Sequence, residues 1–276
     1  MSIVYLNGEW MQAAEARISP EDRGFLLGDG VFDTLRSYDG VFFRFEDHAA
    51  RLFRGLEEVR IEAPFDQAGL LNILTEMHSL NGEKDLVVRV TITRGMGEGG
   101  YRWKSGTRPT VYASARDVPD VAKIRAEGLA LSVSPVPRPL PFLSVVKTTS
   151  IGAMALARVL AETDEVIMLD ANGHVAEGAA STLYAIRGER ILTPPSLHVL
   201  PATTRRVIEE LFAVEERVMT SDEFLASDAL FLSATSMGPV PVRAVADHRY
   251  PVRHPLMDGI YGAFDGAIAR YWAHPA

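Results

Sequence analysis

Two apolar runs flank Asn172-Gly173 near the middle of the chain. Asp164 to Asp170 reads as a buried strand and Val175 to Ile186 as the strand that returns from the turn. Asn-Gly accepts the positive φ that a two-residue hairpin demands, so this pairing constrains the fold more than any other stretch. Glu177 lies in the return strand, within Ala176-Glu177-Gly178. Upstream, Lys147 closes the apolar run Leu143-Ser144-Val145-Val146 and opens Thr148-Thr149-Ser150, where a hydroxyl can cap the helical segment that follows. An amine at the edge of an apolar strand and an acid beside glycine are both costly unless something occupies the space between them. A cofactor that needs an amine and an acid would satisfy both. Taken alone, Lys147 also reads as an ordinary solvated lysine.

With 276 residues the chain can bury a substantial core, as one large domain or two modest ones. No apolar run approaches the roughly 18 to 20 residues of a membrane helix, and Met1-Ser2-Ile3-Val4-Tyr5 shows no basic leader, so the expectation is a cytoplasmic protein with no membrane partner. The absence of cysteine removes disulfides, thiolate metal sites and cysteine nucleophiles together. A net charge of -8, with no basic cluster among aromatics, argues against nucleic acid. No metal site is expected.

In chain order, Ile3 to Leu6, Asn7-Gly8 and Glu9 to Met11 form a predicted hairpin. Arg23 to Gly30 reads as a glycine-rich turn, and Val31 to Tyr38 as a strand. Its alternation puts Phe32, Thr34, Arg36 and Tyr38 on one face and Val31, Asp33, Leu35 and Ser37 on the other. The first face suits the wall of a cleft, or equally a solvent-facing edge. Ala49, Leu52, Phe53, Leu56 and Val59 recur at helical spacing between Glu46 and Arg60, with Arg51 beside the stripe, where a solvated arginine is the simpler reading. A second helix is predicted over 65–80. In the strand Asp85 to Thr93, Arg89 has small or hydroxyl neighbours on its own face and could clamp a carboxylate. Gly95 to Gly100 formally matches G-x-G-x-x-G, but loop formers follow where a nucleotide-binding motif needs a helix, so a mobile loop is the better reading.

Residues 118–128 read as a linker between a domain over 1–117 and another over 129–276. Beyond the central hairpin, Leu200-Pro201-Ala202-Thr203-Thr204 leads into a helix over 205–212, where the hydroxyls and free N-H groups suit an anion or serve as a plain N-cap. Ala229 to Leu232 is a strand running into the turn Ser233 to Pro239, a second place for a phosphate or carboxylate through Thr235 and Ser236. The stretch 258–272 closes the chain as a helix.

A lysine, an acid, an arginine and two hydroxyl-rich turns make up the set that holds pyridoxal phosphate. The order of these pieces resembles the class IV aminotransferases, the fold-type IV pyridoxal-phosphate enzymes. The matching words are Tyr5-Leu6-Asn7-Gly8-Glu9, Arg23 through Phe32, the His48 to Arg51 helix, Lys147, Asp164-Glu165 through Asp170, Val175 through Gly178, Leu200 through Arg205, and Pro239-Val240-Pro241-Val242. The resemblance implies an α+β fold with a small lobe and a larger lobe built on a barrel-like sheet. It implies a homodimer whose cleft is finished by a loop from the neighbouring subunit. Lys147 would be the Schiff-base lysine, and Glu177 the partner of the pyridine nitrogen. Arg51, Thr203, Thr204, Thr235 and Ser236 would hold the phosphate, and Leu200 would pack on the ring. Phe32, Thr34, Arg36 and Arg89 are the substrate candidates, for an amino acid and a 2-oxo acid.

Within the family, Phe32-Asp33-Thr34-Leu35-Arg36 stands where branched-chain enzymes have F-E-G-I-R, and Gly152 stands where they carry a tyrosine. Thr34 with Arg94 to Tyr101 is similar to the aminodeoxychorismate lyases, in which a threonine assists pyruvate release. The lyase K-T-L-N is Lys147-Thr148-Thr149-Ser150 here, and the R-x-H carboxylate trap of D-amino acid enzymes is not evident, with Arg102 or Arg108 as substitutes. The expected activity is transamination, with the lyase reaction and a non-catalytic nucleotide-binding module as alternatives.

Overall fold

Strand alternation and two amphipathic helices account for the N-terminal part of the fold. In the computed structural model, which describes residues 2–97, 100–103, 106–139, 146–196 and 199–273, the chain divides into two compact units. The first holds β1 (Ile3–Leu6), β2 (Glu9–Gln12), α1 (Arg23–Leu27), β3 (Gly30–Tyr38), β4 (Val41–Phe42), α2 (Phe45–Glu58), α3 (Gln67–Leu80), β5 (Leu86–Thr93) and β6 (Thr110–Asp117). Its antiparallel sheet has the order β2-β1-β6-β5-β3-β4. Asn7 and Gly8 both take positive φ, 53° and 102°, as the predicted hairpin turn requires. Val31, Asp33, Leu35 and Ser37 all point inward, and Leu35 packs in one core with Ala49, Leu52 and Leu56 of α2 and with Leu70, Leu74 and Met77 of α3. Each such leucine contributes roughly 1.5–3 kcal/mol by leaving water.

The predicted glycine-rich turn before β3 is instead the short helix α1. Asp22 caps it by accepting from Gly24 N-H at 2.7 Å, and Gly28 ends it in the left-handed region. Residues 146–151, placed by the sequence division in the second domain, belong to the first unit. Phe32 N-H donates to the Lys147 carbonyl at 2.8 Å and Thr149 N-H to the Gly30 carbonyl at 2.9 Å, which lays this segment along the start of β3. The Thr149 hydroxyl donates to the Gly28 carbonyl at 2.7 Å, so it ties two distant segments together rather than capping the next helix. Residues 143–145 of the apolar run before Lys147, like Glu98 and Gly99 of the glycine loop, lie outside the described residues.

The second unit holds α4 (Val121–Glu127), β7 (Leu129–Val133), α5 (Gly152–Val159), β8 (Glu165–Leu169), β9 (Val175–Gly178), β10 (Thr182–Arg187), β11 (Arg190–Thr193), α6 (Thr203–Leu211), β12 (Val214–Glu216), α7 (Ser221–Leu225), β13 (Ala229–Ala234), β14 (Gly238–Val245), β15 (His248–Arg249) and most of α8 (Pro255–Ala273). The span read as a linker thus carries a helix, α4, whose Asp120 cap accepts from Lys123 N-H at 2.9 Å. A mixed sheet with the order β12-β11-β10-β13-β14-β7-β8-β9, and β15 on β14, curls into a half-barrel around Leu131, Ile167, Leu183, Leu230, Leu232, Val240 and Val242. The single return strand predicted over 175–186 is two strands. Glu165, 7% exposed, accepts from Ala179 and Ala180 N-H and from the Ser181 hydroxyl, each at 3.2 Å, and so fixes the turn that separates β9 from β10. That compensation explains a buried acid at the start of an apolar strand.

Gly30 is held by space rather than by φ. A Cβ there would lie 2.8 Å from the Ile92 carbonyl oxygen and 2.9 Å from Thr93 Cα, both backbone atoms that cannot swing away. Gly30→Ala is expected to lower unfolding stability by about 1–3 kcal/mol, measured by urea denaturation, and to leave the content of helix and strand in circular dichroism unchanged.

Candidate functional site

The chemistry-bearing side chains fall into two groups, one in each unit. In the first unit Asp33 is fully buried on the core face of β3, a position where a charge survives only with partners. Arg51, one helix turn from His48 on α2, grips it with both edges of a fork: Nε donates to Oδ2 and Nη2 to Oδ1, each at 2.8 Å. His48 Nδ1 adds a third bond to Oδ1 at 2.9 Å, and Thr34 N-H donates to the same oxygen at 2.6 Å. Burial alone would raise the Asp33 carboxyl, but Arg51 and His48 overcome it and hold the group well below the usual carboxylate range. Burial pushes the His48 imidazole down against the pull of Asp33, with Arg51 and Lys147 adding to the lowering. His48 is therefore neutral, with its proton on Nδ1 as the bond to Asp33 requires. Arg51, which by its helix position alone suits a solvated arginine and by the resemblance a phosphate ligand, keeps only 10% of its side chain exposed.

Lys147 and Arg89 address one aromatic ring. Lys147 Nζ is 4.8 Å from the centroid of Phe32, and the Arg89 guanidinium carbon is 3.6 Å from it. Thr34 stands directly across from Arg89 in the β3–β5 register. Among the described residues no carboxylate pairs with Arg89, which gives its Nε to Thr91 Oγ1 at 3.3 Å, and burial lowers its proton affinity. Arg36 lies farther along the same face of β3, its guanidinium carbon 4.2 Å from the Tyr38 centroid. β3 pairs with β5 along seven residues and with β4 beyond, so this face is not that of a bare edge strand.

In the second unit Glu177 forms an ion pair through Oε1 with Nε of Arg138, the two side chains 16% and 12% exposed. The helix expected to begin at Arg205 begins at Thr203 instead. Thr203 and Thr204 are buried in its first turn, and no side chain caps it. Its first N-H groups therefore carry the positive end of the helix dipole with no side-chain cap from Ala202 and no acidic residue in the first turn. Arg205, 3% exposed, anchors the turn by donating to the Pro194 carbonyl at 2.9 Å and to Glu216 at 2.6 Å. Leu200 precedes the helix, half-buried. The hydroxyl turn read over 233–239 contracts to Thr235, Ser236 and Met237, since Ser233 and Pro239 pair within the strands.

Three participants escaped the list of candidates drawn from sequence: Asp33, His48 and Arg138. A charge at a core-facing strand position, with a histidine and an arginine three residues apart on the next helix, was the available signal for the first two. Arg138 lies among prolines and offered none.

Residues 30–245 match the family model described as amino-transferase class IV. The chain belongs to the class IV aminotransferases. It is 28% identical over 250 residues to the D-alanine aminotransferase of Bacillus licheniformis, covering 88% of each chain. It is 32% identical over 214 residues to the aminodeoxychorismate lyase of Bacillus subtilis, covering 75% of this chain and 73% of that protein. Among solved structures, the branched-chain aminotransferase of Thermoproteus uzoniensis with norvaline superposes with a TM-score of 0.88 at 23% identity, over 98% of this chain and 95% of that one. This class IV enzyme is a pyridoxal-phosphate-dependent transaminase with the fold-type IV architecture. The nucleotide-binding motif that Gly95 to Gly100 formally matches finds no support: among the described residues between Gly95 and Thr110 no helix follows it.

Because His48 is neutral in the folded chain and free to take a proton once unfolded, unfolding binds a proton as pH falls through the ordinary imidazole range near about 6.5. Stability is then expected to drop from pH 7 to pH 5. In His48→Asn, whose amide nitrogen replaces Nδ1, melting curves over the same interval are expected to show a shallower slope.

Proposed function

We propose that the enzyme moves an amino group between an amino acid and a 2-oxo acid, with Lys147 as the residue that carries the proton. The observation that supports this most is the placement of Lys147 and Arg89 on one phenylalanine ring. An amine and a guanidinium, the second with no carboxylate partner among the described residues, held at one ring, match the reacting and anchoring ends of an α-amino acid. Arg89 takes the substrate carboxylate, with Arg36 as the further cation on that face, and Phe32 and Thr34 shape the ground between them.

The donor set fits the cofactor: an amine for its aldehyde, a paired acid for its ring nitrogen, and cations with an uncapped helix start for its phosphate. By the family resemblance, Lys147 and Arg51 of the first unit and Glu177, Thr203, Thr204, Thr235 and Ser236 of the second are the residues that would hold it, and Leu200 the one that would pack on its ring. When bound, pyridoxal phosphate supplies a ring that accepts the electron pair left by deprotonation of the substrate. Lys147 Nζ would take the proton from the substrate α-carbon and deliver it on the far side of the amino nitrogen, two bonds away, serving as base and then acid. Asp33 and His48 keep Arg51 in one orientation, so a phosphate meets a cation already in position. Lys147→Ala is expected to leave a folded protein that loses the yellow colour of the reconstituted enzyme and to lower transamination by roughly 10³-fold or more. A panel of L- and D-amino acids with spectral detection of the amine form of the cofactor identifies the donor. If no donor produces that form, transamination by this chain is wrong.

A second reading, elimination of pyruvate from aminodeoxychorismate, has one observation in its favour: Thr34 faces Arg89 across the strands, on the face that carries Phe32. Pyruvate release in the same assay, lost in Thr34→Ala, would establish it in place of transamination.

The enzyme works as a homodimer in this reading. Arg23 donates to the carbonyls of Gly100 at 2.9 Å and Arg102 at 3.0 Å, stapling that loop beside α1. Around the staple Phe25, Leu26, Met96 and Tyr101 stand 75%, 55%, 59% and 89% exposed. Apolar side chains clustered and uncovered in this way call for a partner surface, and a second copy is the occupant. Light scattering on a sizing column is expected to give twice the chain mass, and Phe25→Glu to shift it toward one.

A further inference from the structure

We propose that Arg138 is a positioning residue for Glu177, acting on the cofactor's ring nitrogen through that carboxylate. This rests on the reading that Glu177 faces the ring nitrogen.

The arginine is aimed by backbone. Ser134 N-H donates to the Ile167 carbonyl at 2.8 Å and Arg138 N-H to the Leu169 carbonyl at 2.7 Å, so the segment 134–138 runs along β8. β9 pairs with β8 with Glu177 opposite Met168, between those two anchors. Pro137 and Pro139 flank the arginine, and each restricts φ at its own position and the backbone of the residue before it. Arg138 Nη1 lies 3.4 Å from the Pro139 carbonyl, while Nε bonds Glu177 Oε1. From the other direction, the Glu165 carboxylate holds the turn that follows Gly178, and a Cβ on Gly178 would come within 2.1 Å of Ser181 Oγ. Glu177 is thus set between a fixed turn and a fixed guanidinium.

A glutamate alone samples several rotamers, and ordering it for a partner costs binding free energy. A carboxylate accepts several hydrogen bonds, so pairing with Arg138 is compatible with a second, protonated nitrogen donor. Arg138 then removes the ordering cost at Glu177 without touching the cofactor.

The test is binding of two cofactors to apoprotein, followed by protein fluorescence: pyridoxal phosphate, and its 1-deaza analogue in which carbon replaces the ring nitrogen. Arg138→Met is expected to weaken pyridoxal phosphate by about tenfold while changing the analogue less than about twofold. Glu177→Gln should show the same discrimination, and Arg138→Met/Glu177→Gln should bind no more weakly than Glu177→Gln, because the arginine works only through the glutamate. Arg138→Lys, which keeps the charge and loses the fork, should fall between. If Arg138→Met does not fold, as judged by circular dichroism, the ratio for Arg138→Lys decides. Equal weakening of both cofactors, or effects of the two substitutions that multiply, would overturn the proposal and leave Glu177 in its assigned role. A Glu177→Gln protein that fails to distinguish the two cofactors would bring down the reading of Glu177 itself, and this proposal with it.

Discussion

The Asp33 carboxylate is the constraint around which the first unit is built. A buried carboxylate without partners costs several kcal/mol, so β3 can carry Asp33 inward only if α2 arrives with Arg51 and His48 in register. The same three bonds fix the axial position of α2 on the sheet and stop Arg51 from reaching solvent. Apolar packing of Leu52 and Leu56 would tolerate small slides of the helix, whereas a bidentate fork does not.

The second unit solves a related problem differently. Glu165 is satisfied chiefly by the backbone N-H groups and the Ser181 hydroxyl of one turn, with Arg158 Nε farther off at 3.9 Å. The sheet is thereby broken at Gly178 and curls instead of running on as one long hairpin, and Glu177 ends up at the lip of the break. Fixed charges at strand ends, each anchored by a neighbour, are what an enzyme needs before any cofactor arrives.

Much of this was legible in the residues. Alternation located β3 and β5 with their inward faces, and Asn7-Gly8 and Asn172-Gly173 located turns, because those signals come from neighbours in sequence. The family was legible too, since the motifs keep their order along the whole chain. The failures were at positions decided by distant partners. Glycines before β3 suggested a turn, but an Asp22 cap and the Gly28 end made a helix of it. The Thr149 hydroxyl looked like a cap and bonds Gly28 instead. An apolar run from Val175 to Ile186 hid a break created by an acid that stands 14 to 16 residues upstream of the break. Arg138, in a proline-rich stretch, had no periodicity to mark it.

The segment bearing Lys147 lies along the start of β3, in a sheet whose strands all come from the first 118 residues. Thr149 meets Gly28 across 121 positions of chain. On a ribosome, the N-terminal unit would therefore emerge with the start of β3 and its Gly30 carbonyl still waiting for the strip that holds Lys147. Such long closures slow folding. The order of synthesis thus makes maturation of the lysine's surroundings a late event, and an incomplete chain would have every strand of the sheet but not the segment that carries Lys147.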